Sequence, residues 1–199
     1  MSEGATSLCL PLAVCRTLTH ELPRAGDMAT ALQCIDGVRR QQLGDGLLTV
    51  NIDASPSGGI DSDSEIVELQ RVWTSDPAAY PVGARRRKAL TRWTRQRLGR
   101  GEVYVGEGEA ALREVFDDHA RIAALGLRAV VNVPLLDAGG RCRATFNLLG
   151  TRAAWQVQEI ALVQLLGVLA TPWVLSAGAK DMRSPSARER ATTPARPAH

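Results

Sequence analysis

The chain has 199 residues, 45% of them hydrophobic and 23% charged, with a formal net charge of +3. That length suits one domain able to bury most of its apolar side chains in a single core, and so small a charge does not indicate a nucleic-acid partner. Four scattered cysteines and no secretory signal exclude a disulfide-built scaffold and predict a reduced, cytoplasmic protein.

Residues 1–26 carry Pro11 and Pro23 among mixed neighbours and read as an N-terminal arm. The apolar run from Leu8 to Cys15 is too short to span a bilayer. From Asp27, which is placed to cap a helix, Met28, Leu32, Ile35, Val38 and Leu43 recur at helical steps until Gly44 and Gly46 stop the pattern. Leu47 to Asp53 alternates as a half-buried strand, and residues 54–64 form a turn-rich connection. Glu65 to Thr74 returns to strand character, with Val67, Leu69 and Trp73 on one face, and pairs most simply antiparallel to the first strand. Asp76-Pro77 breaks it.

A short helix is predicted over Ala89–Leu98, a brief strand over Val103–Val105 and a second helix over Glu109–Leu125, closed by Gly126. Arg128–Leu136 and Arg141–Leu149 alternate around Asp137-Ala138-Gly139-Gly140 and predict a hairpin. Gln156–Leu175 predicts a long buried helix; Gln164, Thr171 and Pro172 interrupt it, which argues against a membrane segment. The domain therefore spans 27–176, and 177–199, rich in Ser, Pro, Arg and Ala without apolar periodicity, reads as a disordered tail. Antiparallel pairs with intervening helices define an α+β fold, a sheet covered by helices on one face.

If Leu136 faces Arg141 across the turn, Asn132 lies opposite Thr145 and Val130 opposite Asn147. Arg128, Asn132, Arg143, Thr145 and Asn147 then share one face, while Ala129, Val131, Val133, Ala144, Phe146 and Leu148 share the other. The apolar face belongs against helices. The polar one is either solvent-exposed or the floor of a pocket.

The run from Leu98 to Glu107, a glycine-containing helix end feeding a short strand, resembles the middle of GAF domains. So do the hairpin built on Ala129-Val-Val-Asn-Val-Pro-Leu135 and Ala144-Thr-Phe-Asn-Leu-Leu149, and the helix after Trp155. The resemblance implies an antiparallel sheet of about six strands, with helices from both chain ends on one face and a lidded pocket on the other. It also implies a sensory or regulatory role and dimerisation through the terminal helices. Under it, the polar face becomes the pocket floor, and Trp73, Tyr80, Trp93, Tyr104, Asp118, His119, Asn132 and Thr145 are the candidate ligand-binding residues.

Other chemistries are excluded. The basic run between Tyr80 and Arg100 has the residues to capture an anionic ligand or a phosphate. It lacks the breadth or reading module of a nucleic-acid binder, however, and most of its charges read as a solvated helix face balanced by the acidic stretch after it. Gly106-Glu-Gly-Glu-Ala-Ala111 resembles a dinucleotide turn, but its two glutamates would repel a pyrophosphate. No Cys/His spacing fits a metal, and no nucleophile elbow or phosphate loop occurs. Within the family, the cysteine of free-methionine-sulfoxide reductases, the thiol of bilin binders and the Asn-Lys signature of cyclic-nucleotide binders have no counterpart here. The reading is a small-molecule-binding regulatory module without its own output domain, not an enzyme, with no cofactor, no nucleic acid and no membrane. The first alternative is an interaction protein that dimerises through helices 27–43 and 156–175 and is split by polar residues at Leu162 or Leu166. The second is an enzyme using Asp118 and His119.

Overall fold

In the computed structural model, which describes residues 7–55, 66–89 and 100–183, the chain begins with a packed helical segment. Helix α1 (Leu12–Arg16) follows Pro11 and runs on through a π turn, Thr17–Glu21, into a 3₁₀ turn, Leu22–Arg24. Val14, Leu18 and Leu22 fall at i, i+4 steps and are buried in the main core. The expected arm is thus part of the fold. Its prolines do no harm, because Pro11 precedes the helix and Pro23 lies in the first turn of the 3₁₀ segment.

Helix α2 (Met28–Leu43) opens where Asp27 accepts a hydrogen bond from the Thr30 amide at 2.8 Å and closes at Gly44, whose φ is +76°. The strands are β1 (Gly46–Asp53), β2 (Ile66–Thr74), β3 (Arg85–Ala89), β4 (Tyr104–Glu107), β5 (Ala129–Leu136) and β6 (Cys142–Gly150). They form one six-stranded sheet in the order β3-β2-β1-β6-β5-β4, with every pair antiparallel. Helices α3 (Gly108–Val115) and α4 (His119–Ala124) lie between β4 and β5, and α5 (Val157–Arg183) ends the described chain.

Three elements depart from expectation. Arg85–Ala89 is an edge strand on β2, not a helix face; four cations in a row hide any alternation, and a charged edge discourages further pairing. Of the helix predicted over Ala89–Leu98, Ala89 closes β3 and 90–99 lie outside the described residues. The single helix predicted over Glu109–Leu125 is two, because Phe116 leaves helical geometry (φ −118°, ψ 120°) and Asp117-Asp118, poor helix formers, follow it. At the far end, α5 continues past 176 to Arg183, into the stretch expected to be disordered.

The hairpin register differs too. Asp137 exchanges hydrogen bonds with Arg141, and Gly140 takes a φ of +77°, so the loop holds three residues and shifts the pairing by one. A bulge at Leu135/Leu136 shifts it by one more. Asn132 therefore faces Asn147 and Val130 faces Leu149, instead of Thr145 and Asn147. Two single shifts add to an even number, so the residues beyond the bulge keep their expected faces. Cys142, which alternation with Ala144 places on the helix side, lies before the bulge, opposite Leu136, and packs with Val67 and Leu69 on the other face.

Helices α2 and α5 and the N-terminal segment pack on one face, burying Leu48, Val50, Val131, Val133, Phe146 and Leu148. A Cβ at Gly167 would meet Val133 Cγ1 at 2.9 Å, so the glycine lets α5 approach β5 closely. By length and composition α5 could cross a membrane (Val157–Ala177, mean hydropathy 1.9), yet Leu162, Val163, Leu166, Ala170 and Val174 are buried against the sheet. Leu162 and Leu166 are 3% and 0% exposed within the chain's own core. Polar residues there would break the fold rather than split a dimer. On the other face, Leu47, Val130 and Leu149 pack with Tyr80, Leu112, Ile122 and Leu127.

Candidate functional site

The sheet face away from α2 and α5 carries a cavity of about 120 Å³ among the described residues. Its floor is polar: Thr49 and Asn51 from β1, Asn132 from β5, and Thr145 and Asn147 from β6. Tyr104, Asn132, Asn147 and Thr49 stand in one row across β4, β5, β6 and β1. Asn147 Nδ2 donates to Thr145 Oγ1 at 3.2 Å and lies 3.5 Å from the Thr49 carbonyl and hydroxyl oxygens. Asn132 Oδ1 is buried and unpaired.

The β2 wall depends on a second bulge. Val50 pairs with Trp73 and Asn51 with Arg71, which leaves Val72 as the extra residue. Val67, Leu69 and Arg71 consequently face the cavity, while Trp73, one parity step out, turns to the helix side and joins the main core at 8% exposure. The placement of Trp73 in the site is thereby corrected.

Tyr80 is held by the Asp76 turn. The Asp76 carboxylate accepts from the amides of Ala78 and Ala79 at 3.1 and 2.9 Å, and the Tyr80 amide donates to the Asp76 carbonyl at 2.8 Å. Two guanidinium groups lie against the Tyr80 ring, Arg71 at 4.7 Å and Arg121 at 5.2 Å from its centre. Burial, reinforced by the Asp118 carboxylate, pushes the Tyr80 hydroxyl up to about 12. That hydroxyl sits beside Asp118 without satisfactory hydrogen-bond geometry. Burial alone would raise the Asp118 carboxyl, but the Arg86 guanidinium, 2.9 Å away, holds it below its ordinary value. Lys88 donates to the Val115 carbonyl at 2.6 Å and faces the Phe116 ring; burial lowers its ammonium despite Asp117 and Asp118 nearby.

Arg71 is 7% exposed. Nη1 reaches the Pro81 carbonyl at 3.3 Å, while Nε is buried without a partner. Burial first, then the neighbouring Arg86 charge, lowers its guanidinium from the usual value.

Of the residues expected at the site, Tyr80, Tyr104, Asp118, Asn132 and Thr145 line the cavity. Trp93 lies outside the described residues. His119 opens α4 with Nδ1 3.2 Å from the Phe116 carbonyl and does not line the cavity, so it and Asp118 form no pair there. Sequence reasoning missed Arg71, Arg86, Lys88 and Phe116. Alternation through Val67 and Leu69 already pointed to Arg71; at β3 the run of cations was visible, but its pairing with β2 was not. The apparent dinucleotide turn is also resolved: Gly106 lies inside β4, where a Cβ would strike the Tyr104 ring at 2.8 Å. Among the described residues no cluster of His, Cys, Asp and Glu could hold a metal.

No protein-family model and no curated protein matches the sequence. Solved structures do. The GAF domain of a phosphoenolpyruvate-protein phosphotransferase from Coxiella burnetii is similar at 15% identity and a TM-score of 0.61, over 86% of this chain and 96% of that one. The phycocyanobilin-bound GAF domain of a cyanobacterial phytochrome is similar at 14% identity and 0.57, over 86% and 98%. The chromophore-binding domain of the bacteriophytochrome RpBphP3 from R. palustris matches at 12% and 0.58 over 85% of this chain, which spans 61% of that domain's length. The protein has the GAF fold, with terminal helices on one sheet face and the cavity on the other.

Proposed function

We propose that the chain is a cytoplasmic small-molecule-binding regulatory module whose ligand occupies this cavity, and that it is not a catalyst. One observation carries the reading: Arg71 Nε, the Tyr80 hydroxyl and Asn132 Oδ1 are buried and unpaired around the same cavity. Buried polar groups are almost always satisfied, and each left bare costs about 1–3 kcal/mol. A ligand that satisfies several of them would recover that cost on binding. The phycocyanobilin carried by one solved GAF domain supports a ligand-holding role for the fold, though none of the four cysteines lines the cavity here. Asp118 is committed to Arg86 and His119 points elsewhere, which disfavours the catalytic alternative.

Native mass spectrometry of gently purified protein, with a thermal-shift screen of metabolites, tests this. Ligand at one hundred times its Kd should stabilise the fold by about 2.7 kcal/mol. A bare-chain mass together with no shift across a broad library overturns the reading.

A second reading concerns self-association, and the two are compatible. Val157 and Val168 on α5 are 67% and 64% exposed, and half-buried Leu165 and Leu169 adjoin Val168 on the same helix. An apolar outer stripe of this kind suits the terminal helix of a dimer built on α2 and α5.

A further inference from the structure

The cations at the cavity are not equivalent. Arg86 is neutralised by Asp118 at 2.9 Å, and Lys88 spends a donor on the Val115 carbonyl. Arg71 is more than nine-tenths buried, has no carboxylate within ion-pair distance among the described residues, and leaves Nε bare. A guanidinium is a planar fork matched to a carboxylate, and a buried one without its counter-ion is the complement of an anion. Its backbone is fixed as firmly as its charge: the Arg71 amide donates to the Ala84 carbonyl and its carbonyl accepts from the Gly83 amide.

The opposite wall is an acceptor. Arg71 shares a row with Asn51 and Thr145, while Asn132, in the adjoining row, stands three strands away on β5. Three strand spacings separate their backbones by roughly 14 Å, and both side chains face the cavity between. Leu69, Phe116 and Leu149 line the space with apolar surface. A cavity of about 120 Å³ compares with one of roughly 150 Å³ that accepts benzene, so the occupant has only a handful of heavy atoms.

Resting on the ligand-binding reading above, we propose that the cavity takes a short-chain organic acid whose carboxylate pairs with Arg71 and whose far end donates a hydrogen bond to Asn132 Oδ1. A linear ω-amino acid has this chemistry: anion, short apolar spacer, donor.

Thermal-shift and calorimetric titrations of the whole chain with glycine, β-alanine, 4-aminobutyrate and 6-aminohexanoate, against butyrate and butylamine, test it. At least one amino acid should bind, more tightly than butyrate by about fivefold and far more tightly than butylamine. Arg71→Gln should weaken that binding on the order of 30-fold or more. Asn132→Leu should bring the amino acid down to the level of butyrate. If Arg71→Gln fails to unfold cooperatively, Arg71→Lys carries the comparison, with an expected loss of about tenfold from the missing fork. Equal binding of butyrate and the amino acid, preference for butylamine, or unchanged affinity in the folded Arg71 variant overturns the inference. So does capture of an uncharged metabolite alone, which leaves the ligand-binding reading standing. No ligand of any charge overturns both.

Discussion

Tyr80 meets the cavity with its hydroxyl and two guanidinium groups with its ring. Because the folded state favours the neutral phenol, its raised pKa contributes stability that is complete below about pH 10 and is lost as the pH climbs through about 12. Ultraviolet titration should show a tyrosine ionising near 12, and Tyr80→Phe should remove that step. The same variant should cost less than about 1 kcal/mol in urea unfolding, since the hydroxyl it deletes has no partner. Asp137 works in the opposite sense. Its carboxylate accepts from the Arg141 amide at 3.0 Å, the Arg143 guanidinium at 2.9 Å and the Gly139 amide at 2.9 Å, which lowers it to about 2. That contribution is present above the unfolded value near pH 4 and is lost as the pH falls through about 2. Carbon NMR should find the depressed titration, and Asp137→Asn should flatten the acid limb of the stability curve over that window. A titration near 4 in the folded protein would contradict both statements.

Helix α2 buries an ion cluster along with its apolar stripe. Arg39, 1% exposed, donates through Nε to Asp36 Oδ1 at 2.9 Å and through Nη1 to the Gly44 carbonyl at 2.8 Å; Arg40 takes the other Asp36 oxygen at 2.7 Å. Asp36→Ala strands the Arg39 charge and should cost about 3–5 kcal/mol, whereas Asp36→Leu with Arg39→Met should recover most of it. At the α5–β5 contact, Gly167→Ala forces a Cβ onto Val133 and should cost about 1–3 kcal/mol, read by the same denaturation. These elements also show what was legible beforehand. Helix α2 declared itself because Asp27 caps it and Leu32, Ile35 and Val38 recur on one side. Strand β3 did not, because Arg85 to Lys88 carries no apolar alternation and its pairing with Ile66–Gln70 is a non-local fact. The break at Phe116 was hidden for a related reason: its extended backbone serves a ring packed with the Lys88 side chain across the cavity.

For the whole molecule, the α+β architecture and the apolar and polar faces of the hairpin followed from periodicity, and the GAF likeness supplied the layer arrangement. The site was legible where strand alternation is uninterrupted, as at Asn132 and Thr145, and at Tyr80 and Asp118 between the elements, where the GAF likeness pointed to them. Trp73 was misplaced by a bulge that leaves no mark in residue type. Self-association belongs to this scale as well. Val168→Glu, on the exposed side of α5, should shift a dimer to monomer in sedimentation or light scattering without lowering the thermal midpoint. A wild-type monomer at high concentration removes the dimer reading while leaving the cavity untouched.

The extra residue at Val72 has an evolutionary corollary. Deleting it would place Trp73 directly after Arg71, where ordinary alternation sends the two side chains to opposite faces, so the cavity wall and the core would both keep their residues. Descendants of this chain could therefore lose this one codon and keep their pocket, whereas a substitution that flattened the bulge with all its residues retained would turn Trp73 to the face of Arg71. For recognising functional homologues, the identity of Arg71 is therefore more informative than the length of β2.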